Sequence, residues 1–394
     1  MCDLLWPMRP GSRMVFHVLG PIGLFFCLAG WATPITVLAQ GEATAAAAAR
    51  SDQSVLPTQL QFELLTGDGG VGERAQRWSQ LFERQNVSLT VRRGRGDEKL
   101  ETKEEIIGRK TRRVTVIGRM EKSGQLIFAD RQFGEQEADK LNLWIRDLRT
   151  YGAQGSPHGQ PLWGLTKAQF GLVFQPLAKP LKGDLQGESL ETALGRFELG
   201  TYRLERSGAA AKLCSELPAD RTVRQTFEGV TQGTALAAVL NEYGLGFYPH
   251  RMADGSVRLE VVTLAETQDV WPVGWPPDQP LNKLVPKYFT FTQIDIQKLP
   301  LQDVLDAAGD VIGARVFVDY AGLTGRGVKL ESAVVTHPPK KTTWAMALKS
   351  LVFQVKGKPD IYVDEAGHPI LWISPIGTRR AEDAARPPGR SEKK

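Results

Sequence analysis

The sequence predicts an α+β, multi-domain fold in which small mixed sheets each pack against one or two helices. Segments with apolar residues at helical spacing alternate along the chain with short segments of alternating apolar and polar residues, which are typical of half-buried strands. The chain has 394 residues, of which 42% are hydrophobic, so it can bury two or three separate cores. Gly- and Pro-rich segments separate the groups of elements and indicate where one region ends and the next begins.

The N-terminal leader predicts export. Arg9 and Arg13 precede an apolar run from Met14 to Ala32, and small residues follow it. This pattern is typical of a cleaved signal peptide, here over residues 1–39, with a flexible Ala-rich spacer over residues 40–54. The alternative is an uncleaved N-terminal membrane anchor, because the run approaches the ~20 residues of a spanning helix. We expect a periplasmic or extracellular location, with no membrane span after signal cleavage.

Residues 55–151 are predicted to form an N-terminal α+β domain. Apolar residues recur at helical spacing in its two helices, and a short Gly-containing turn joins two of its strands as a hairpin. The predicted elements are a helix over Glu73–Gln85, a strand over Val87–Val91, strands over Val114–Ile117 and Leu126–Phe128, and a helix over Glu135–Thr150. A Gly- and Pro-rich linker follows the last helix and ends the domain.

The densest basic stretch of the chain lies within this domain, over residues 92–113. Its candidate anion-binding residues are Arg92, Arg93, Arg112 and Arg113. Acidic residues interleave with the bases and lower the local positive potential, which favours a solvated loop between strands. The alternative is a protein that binds an anionic polymer. The formal net charge of +5 is mild for this length, and we expect no nucleic-acid partner.

Two further α+β modules are predicted, module 1 over residues 162–263 and module 2 over residues 288–375. Residues 264–287 form a Trp/Pro-rich linker between them, and its segment Trp271–Pro280 contains too much proline for a helix interior or a central strand. We interpret its tryptophans as packing back on the neighbouring domains, with docking into a partner's aromatic groove as the alternative. The charged tail over residues 376–394 is predicted to be disordered.

The two modules share a pattern of elements. Module 2 is predicted to contain a strand over Phe289–Phe291, a helix over Leu301–Ile312, strands over Val316–Val318 and Val328–Leu330, a helix capped by Thr342 or Thr343, and a hairpin of Ile361–Val363 with Ile370–Ile373. Module 1 repeats the later half of that order, with a strand over Val223–Phe227, a helix over Thr234–Tyr243, and a hairpin that flanks Ala253–Gly255. The pattern predicts two related modules.

The pattern of module 2 resembles the short domain at the N-termini of secretins and TonB-dependent receptors. The resemblance rests on the helix headed by Leu301–Leu305, the Val328–Leu330 segment and the helix that contains Ala347–Leu351, within residues 289–374. A weaker copy covers residues 223–262. The resemblance implies a periplasmic module for protein–protein contacts, without catalytic residues. No long run of alternating strands follows the module, so receptor or channel activity is not implied.

Cysteine and histidine usage excludes several kinds of site. Cys2 and Cys27 lie in the leader, so processing leaves Cys214 alone, and neither an intramolecular disulfide nor a cysteine-based zinc site can form. We interpret Cys214 as a buried apolar residue and not as a reactive thiol. The histidines show no pair at metal-ligand spacing. We expect no metal and no cofactor, although residues distant in sequence can still converge on an ion.

The segment Asp364–His368 is the most polar local cluster. Its two carboxylates and its imidazole can be taken as a cation site, but Asp followed by Gly is also typical of a tight turn. The turn is favoured, because Asp254 and Gly255 stand at the equivalent place in module 1. The sequence therefore predicts a geometric role for this cluster.

No catalytic motif is recognisable in the chain. Gly-rich phosphate loops and the G-x-S-x-G motif are absent, so no catalytic residues are assigned. The preferred hypothesis is an exported docking or scaffold protein with an envelope protein as partner. Whether the protein is an enzyme stays open; the alternative is a hydrolase of an envelope polymer that uses carboxylates, since such pairs are defined by their distance in space.

Overall fold

The N-terminal region is a mixed sheet with both of its helices on one face. The computed structural model describes residues 57–67, 72–95, 97–108 and 111–377. The predicted signal peptide, the spacer and nearly all of the charged tail lie outside these residues. The strands are β1 (Thr58–Thr66), β2 (Ser88–Arg93), β3 (Glu101–Ile107), β4 (Thr111–Met120), β5 (Leu126–Ile127) and β6 (Gln132–Phe133). The helices are α1 (Glu73–Arg84) and α2 (Ala138–Tyr151).

The alternating burial of side chains along β1 explains why the two helices pack on one face of the sheet. β1 pairs in parallel with β2 on one side and with β4 on the other. Alternate side chains of a strand lie on opposite faces, so Leu60, Phe62 and Leu64 all lie on the helix face, where they are buried. Phe62 packs edge-on against Trp144 of α2, with ring centroids 5.7 Å apart. The predicted helices and the β4–β5 hairpin are confirmed.

The charged stretch is not one loop, contrary to the sequence prediction. Strand β3 lies within it and pairs antiparallel with β4. Most of its side chains are exposed, and β3 has no strand on its other side among the described residues. An edge strand with charged side chains lacks the apolar alternation by which strands are predicted.

The second region, residues 162–263, contains a small sheet and four α-helices. The helices are α3 (Lys167–Leu177), α4 (Leu190–Leu194), α5 (Gly208–Ser215) and α6 (Gln232–Glu242), and the strands are β7 (Leu204–Arg206), β8 (Leu245–Arg251) and β9 (Val257–Thr263). β9 lies in the centre, parallel to β7 and antiparallel to β8. The predicted strand over Val223–Phe227 is wrong: both end residues are buried, but the backbone of Phe227 donates to the Asp184 carboxylate and not to a strand.

The third region, residues 281–375, contains two sheets. Its helices are α7 (Leu281–Leu284), α8 (Leu301–Ile312), α9 (Tyr320–Thr324) and α10 (Trp344–Phe353), and its strands are β10 (Phe291–Pro300), β11 (Arg315–Val318), β12 (Val334–Thr343), β13 (Gly357–Val363) and β14 (Pro369–Pro375). β14 lies between a parallel β11 and an antiparallel β13, as β9 does between its neighbours. β10 and β12 pair only with each other in the described part of the chain.

Three expectations for this region need correction. The predicted strand over Phe289–Phe291 is wrong except at its last residue, because a 3-10 helix ends at Phe289 and β10 begins at Phe291. Val328–Leu330 is not a strand, and a short 3-10 helix begins at Leu330. Strand β12 was not predicted, because Pro338 and Pro339 lie within it and proline is disfavoured inside sheets. The predicted helix cap is confirmed, since the Thr343 hydroxyl accepts the backbone N–H of Met346.

The third region has a hydrophobic core of its own, but a few of its residues pack into the core of the second region. Phe317 and Trp372 of the third region are buried in the same cluster as Phe227 and Trp271. The rings of Phe227 and Phe317 are stacked, with centroids 5.2 Å apart. Trp271 is only 1% exposed, so the Trp/Pro segment packs against its neighbours, as its sequence was interpreted. The fold is α+β, and none of the described helices has the length and apolar character needed to cross a membrane.

Candidate functional site

The four candidate anion-binding arginines do not converge. Arg92 lies on β2 beside Leu65 of β1, whereas Arg113 lies on β4 beside Gln59. Six residues of extended strand separate these two positions along β1, a distance of about 20 Å. The arginines therefore belong to opposite ends of the sheet.

Two of these arginines already have carboxylate partners. Arg92 forms ion pairs with Glu63 at 3.2 Å and with Glu98 at 2.6 Å. Its guanidinium, with a hydrogen bond from the Arg95 backbone, holds the pKa of Glu98 at about 2. Arg112 is 2% exposed and lies 3.3 Å from Glu104. The role of the set in anion binding stays a prediction.

Arg112 and Arg251 form a contact between the N-terminal region and the β8–β9 turn, which we call the first joint. Arg112 donates to the backbone oxygen of Thr150 at 3.2 Å and to that of Ala253, in the turn. Arg251 is 1% exposed and donates to the backbone oxygens of Tyr151, at 3.3 Å, and Gly155. Both guanidinium groups thus lie at the C-terminal end of α2, where the helix dipole favours positive charge.

Glu365 forms a second contact, between the β13–β14 turn and the second region, which we call the second joint. Its carboxylate accepts hydrogen bonds from the backbone and hydroxyl of Thr234, at 3.1 and 2.9 Å, and from the Thr231 hydroxyl. It also accepts the indole N–H groups of Trp271, at 2.6 Å, and Trp275, at 3.2 Å. The carboxylate therefore lies at the N-terminus of α6, where anions are stabilised.

The neighbouring Asp364 shapes the turn, in agreement with the favoured interpretation. Its carboxylate accepts the backbone N–H groups of Ala366 and His368, at 3.0 and 2.8 Å, and lies 3.0 Å from the imidazole of His368. No group of three or more His, Cys, Asp or Glu side chains within the described ranges is arranged to hold a metal ion.

Two imidazoles have partners that resemble parts of catalytic sites. Ser156 Oγ lies 3.1 Å from His158 Nδ1, but both residues are in an exposed loop, and no described carboxylate pairs with His158. His250 pairs with Glu260, and this hydrogen bond lowers the pKa of Glu260. No hydroxyl or thiol nucleophile among the described residues hydrogen-bonds to His250, so neither group completes a triad.

The single described cysteine is not activated. Cys214 is half-buried, and burial raises the pKa of its thiol. A reactive cysteine needs a lowered pKa, because the thiolate is the nucleophile. The packing of Cys214 beside the core of the second region matches its interpretation as an apolar residue.

The strongest candidate for a binding surface is the two-stranded sheet of β10 and β12, which we call the ribbon. Its inner face is anchored in the core by Ile294, Ile296 and Val335. Its outer surface exposes apolar side chains, of which Phe291 is 63% exposed. Both long edges of the ribbon carry no further strand in the described part of the chain. Such edges are templates for an additional strand.

The ribbon carries a positive charge. Lys298, Lys340 and Lys341 are exposed, and Asp295 is the one acidic residue in β10 and β12, so three positive charges oppose one negative charge. None of the three lysines forms an ion pair with another described residue. This surface was not predicted from the sequence, because the prolines of β12 conceal its strand pattern. The chain matches no known protein-family model, no curated protein and no solved structure.

Proposed function

We propose that this protein is an exported docking protein of the cell envelope that binds an extended, acidic segment of a partner protein along the ribbon. The observation that carries the proposal is that β10 and β12 have open strand edges and lysines without ion pairs within the described part of the chain. Backbone groups at a strand edge provide hydrogen bonds for an added strand, and the lysines select its charge.

The leader supports the proposed export to the cell envelope, and the module pattern supports the proposed docking role. The n-region and apolar run of residues 1–39 are typical of a signal peptide. The sheets β7–β9–β8 and β11–β14–β13 have the same order and the same strand directions. We therefore propose that the second and third regions are related modules. The resemblance of the third region to the N-terminal domains of secretins and TonB-dependent receptors is consistent with a periplasmic docking role.

In-cell photo-crosslinking tests the proposal. A crosslinking amino acid at Thr292 places the probe on the ribbon, and one at Asp306 on α8 is the matched control on the same module. We expect a reproducible envelope partner from Thr292 alone. The partner's crosslinked peptide should be acidic and extended. Equal capture from both positions, or none from Thr292, overturns the proposal.

Charge-reversal variants distinguish a specific role of the ribbon lysines from general electrostatic attraction. We expect Lys340→Glu with Lys341→Glu to reduce the crosslink at least fivefold. The matched control is Lys167→Glu with Lys212→Glu, which makes the same change in net charge on the second region. An equal loss in both double variants indicates non-specific attraction. Equally strong binding of a sulfated polysaccharide, which has no peptide backbone, favours the alternative of an anionic-polymer-binding protein.

A further inference from the structure

A cavity of about 260 Å³ lies between α6 of the second region and strands β13 and β14 of the third. The segment that contains Trp271 and Trp275 closes one side of it, and Trp163 lies at its rim. Its volume is slightly below the ~300–1,000 Å³ typical of pockets for drug-sized ligands. The size therefore indicates a small ligand.

The aromatic wall of the cavity is held by strained backbone. Leu162 and Trp163 both have φ of 53°, in the left-handed region that bulky residues rarely adopt. This conformation places the Trp163 ring parallel to Trp271, with centroids 5.7 Å apart. Strain of this kind is concentrated at binding sites.

The charged groups of the cavity are mainly carboxylates. Three carboxylates and one ammonium group line it, those of Asp269, Asp319, Asp360 and Lys358, so the charge of the lining is negative. Lys358 is paired with Asp360 at 3.0 Å. The side-chain oxygen of Asn241 is buried and has no hydrogen-bond partner among the described residues. An unsatisfied buried acceptor is costly unless a ligand or water donates to it.

The indole donors of the wall are already used within the protein. Trp163 donates to the backbone oxygen of Asp269 at 3.0 Å, and Trp271 and Trp275 both donate to Glu365. The ring of Trp271 is buried against Trp163, Phe170 and Phe247, so the half-buried rings of Trp163 and Trp275 provide the aromatic surface of the cavity. A ring face attracts cations through its quadrupole. The cavity thus combines ring faces, acceptors and negative charge.

We propose that this cavity binds a small organic cation, namely a protonated amine attached to an apolar or aromatic group. The apolar group packs against Trp163 and Trp275, and the ammonium group donates to the Asn241 oxygen and lies among the carboxylates. The proposal does not depend on partner binding at the ribbon.

The state of Asp269 is consistent with this ligand class. Although much of the residue is exposed, the protein around its carboxyl raises the pKa of Asp269 by desolvation. No described ion pair offsets this effect. A bound ammonium ion would supply the missing positive charge and favour the ionised carboxylate.

Three phenyl-containing probes of similar size test the charge class. They are 2-phenylethylamine, which is a cation at neutral pH, 2-phenylethanol, which is neutral, and 3-phenylpropionate, which is an anion. Binding is followed on the full mature chain through the ¹⁵N-indole NMR signals of Trp163 and Trp275. We expect saturable shifts with the amine, at least fivefold weaker binding of the alcohol and none of the carboxylate. Equal affinities for the three probes, or no saturable shift with the amine, overturn the proposal.

Two variants locate the site. We expect Asp269→Asn to weaken amine binding at least threefold, whereas Asp303→Asn on the exposed side of α8 should leave it unchanged. Asn241→Leu removes the unsatisfied acceptor and should also weaken binding. Because Asn241 is on a buried helix, its folding is checked by the unfolding midpoint, and Asp269→Asn decides the question if that variant does not fold. Unchanged amine affinity in Asp269→Asn contradicts the site.

Discussion

The two joints have the same position in the fold but opposite chemistry. In each, the turn of a hairpin touches the preceding region: Ala253 of the β8–β9 turn in the first joint, and Glu365 of the β13–β14 turn in the second. The first joint binds guanidinium groups to backbone oxygens. The second binds one carboxylate to indole, hydroxyl and backbone donors. Equivalent turns therefore make contacts through different atoms.

The two joints differ in how many of the polar atoms of their buried charged side chains form hydrogen bonds. Glu365 receives five hydrogen bonds, from Thr231, Thr234, Trp271 and Trp275. In the first joint, the Nε atoms of Arg112 and Arg251 are buried without a hydrogen bond among the described residues, and Glu104 is the carboxylate beside them. Removing the Glu365 carboxylate leaves several buried donors without an acceptor. Removing one of the two arginines leaves fewer groups without a partner. The second joint should be the more sensitive.

Both joints also require a glycine. A Cβ atom on Gly233 would lie 2.5 Å from a Glu365 carboxylate oxygen and 2.9 Å from the Trp271 indole nitrogen. A Cβ atom on Gly152 would overlap the Glu104 carboxylate, and Gly152 has φ of 71°. The close approach of backbone to a buried charge is therefore common to the two joints.

The largest effect is expected for Glu365→Ala. This change removes the acceptor of two indole groups and two threonines, so it should lower the free energy of unfolding by about 3–4 kcal/mol. Glu365→Gln keeps the shape and one acceptor, and should cost about half as much. Urea unfolding, followed by tryptophan fluorescence, measures both. A Glu216→Ala control, at an exposed residue, should be nearly neutral. A Glu365→Ala cost below that of Arg112→Met would reverse the ranking of the joints.

A smaller loss is expected for Arg112→Met in the first joint. The variant keeps most of the apolar volume but leaves the backbone oxygens of Thr150 and Ala253 without their donor. We expect a loss of about 2–3 kcal/mol in the free energy of unfolding. Limited proteolysis should also cut near residues 152–161 more rapidly, because those residues lie at the joint. Unchanged proteolysis with full stability would show that Arg251 alone holds the contact.

A still smaller loss in the free energy of unfolding is expected for Gly233→Ala. The added methyl group must displace Glu365 or Trp271, and overpacking of this kind costs about 1–3 kcal/mol. Gly171→Ala, within α3, is the matched control, since a Cβ atom added there would have no other atom within 4 Å. The control should be stabilising by up to about 1 kcal/mol, because alanine favours helices over glycine. Thermal unfolding distinguishes the two. Equal midpoints would mean that the second joint tolerates a shift of Glu365.

The smallest effect is expected for the partly exposed ion pair of Arg92 and Glu98, which contrasts with the buried joints. In Arg92→Met, the pKa of Glu98 should rise from about 2 toward its ordinary value, because its main partner is lost. A lowered carboxyl pKa stabilises the fold above the unfolded-state pKa, and this contribution disappears as the pH falls through the folded-state value. Carboxyl NMR titration measures the shift. A pKa that stays near 2 would assign it to the Arg95 backbone instead.

The success of sequence-based prediction differed between regions for physical reasons. The helices Glu73–Arg84 and Leu301–Ile312 were predicted because each buries one face, so their apolar residues follow the helical period. Strands β1, β3 and β12 were not predicted. An edge strand with exposed charges or prolines need not alternate, which explains β3 and β12. β1 is central and does alternate through Leu60, Phe62 and Leu64, so its pattern was present in the sequence. The ribbon depends on β12, so the candidate binding surface could not be recognised without it.

The sequence by itself determined the α+β class, the order of most elements and the turn at Asp364, because these depend on local patterns of polarity and on turn chemistry. Only the tertiary structure decided that Glu365 joins two regions, that Arg112 is buried and that Trp163 and Asp360 line one cavity. These contacts link residues about 90 to 200 positions apart. Their formation depends on which faces pack together, and that is a property of the complete core and not of any local segment.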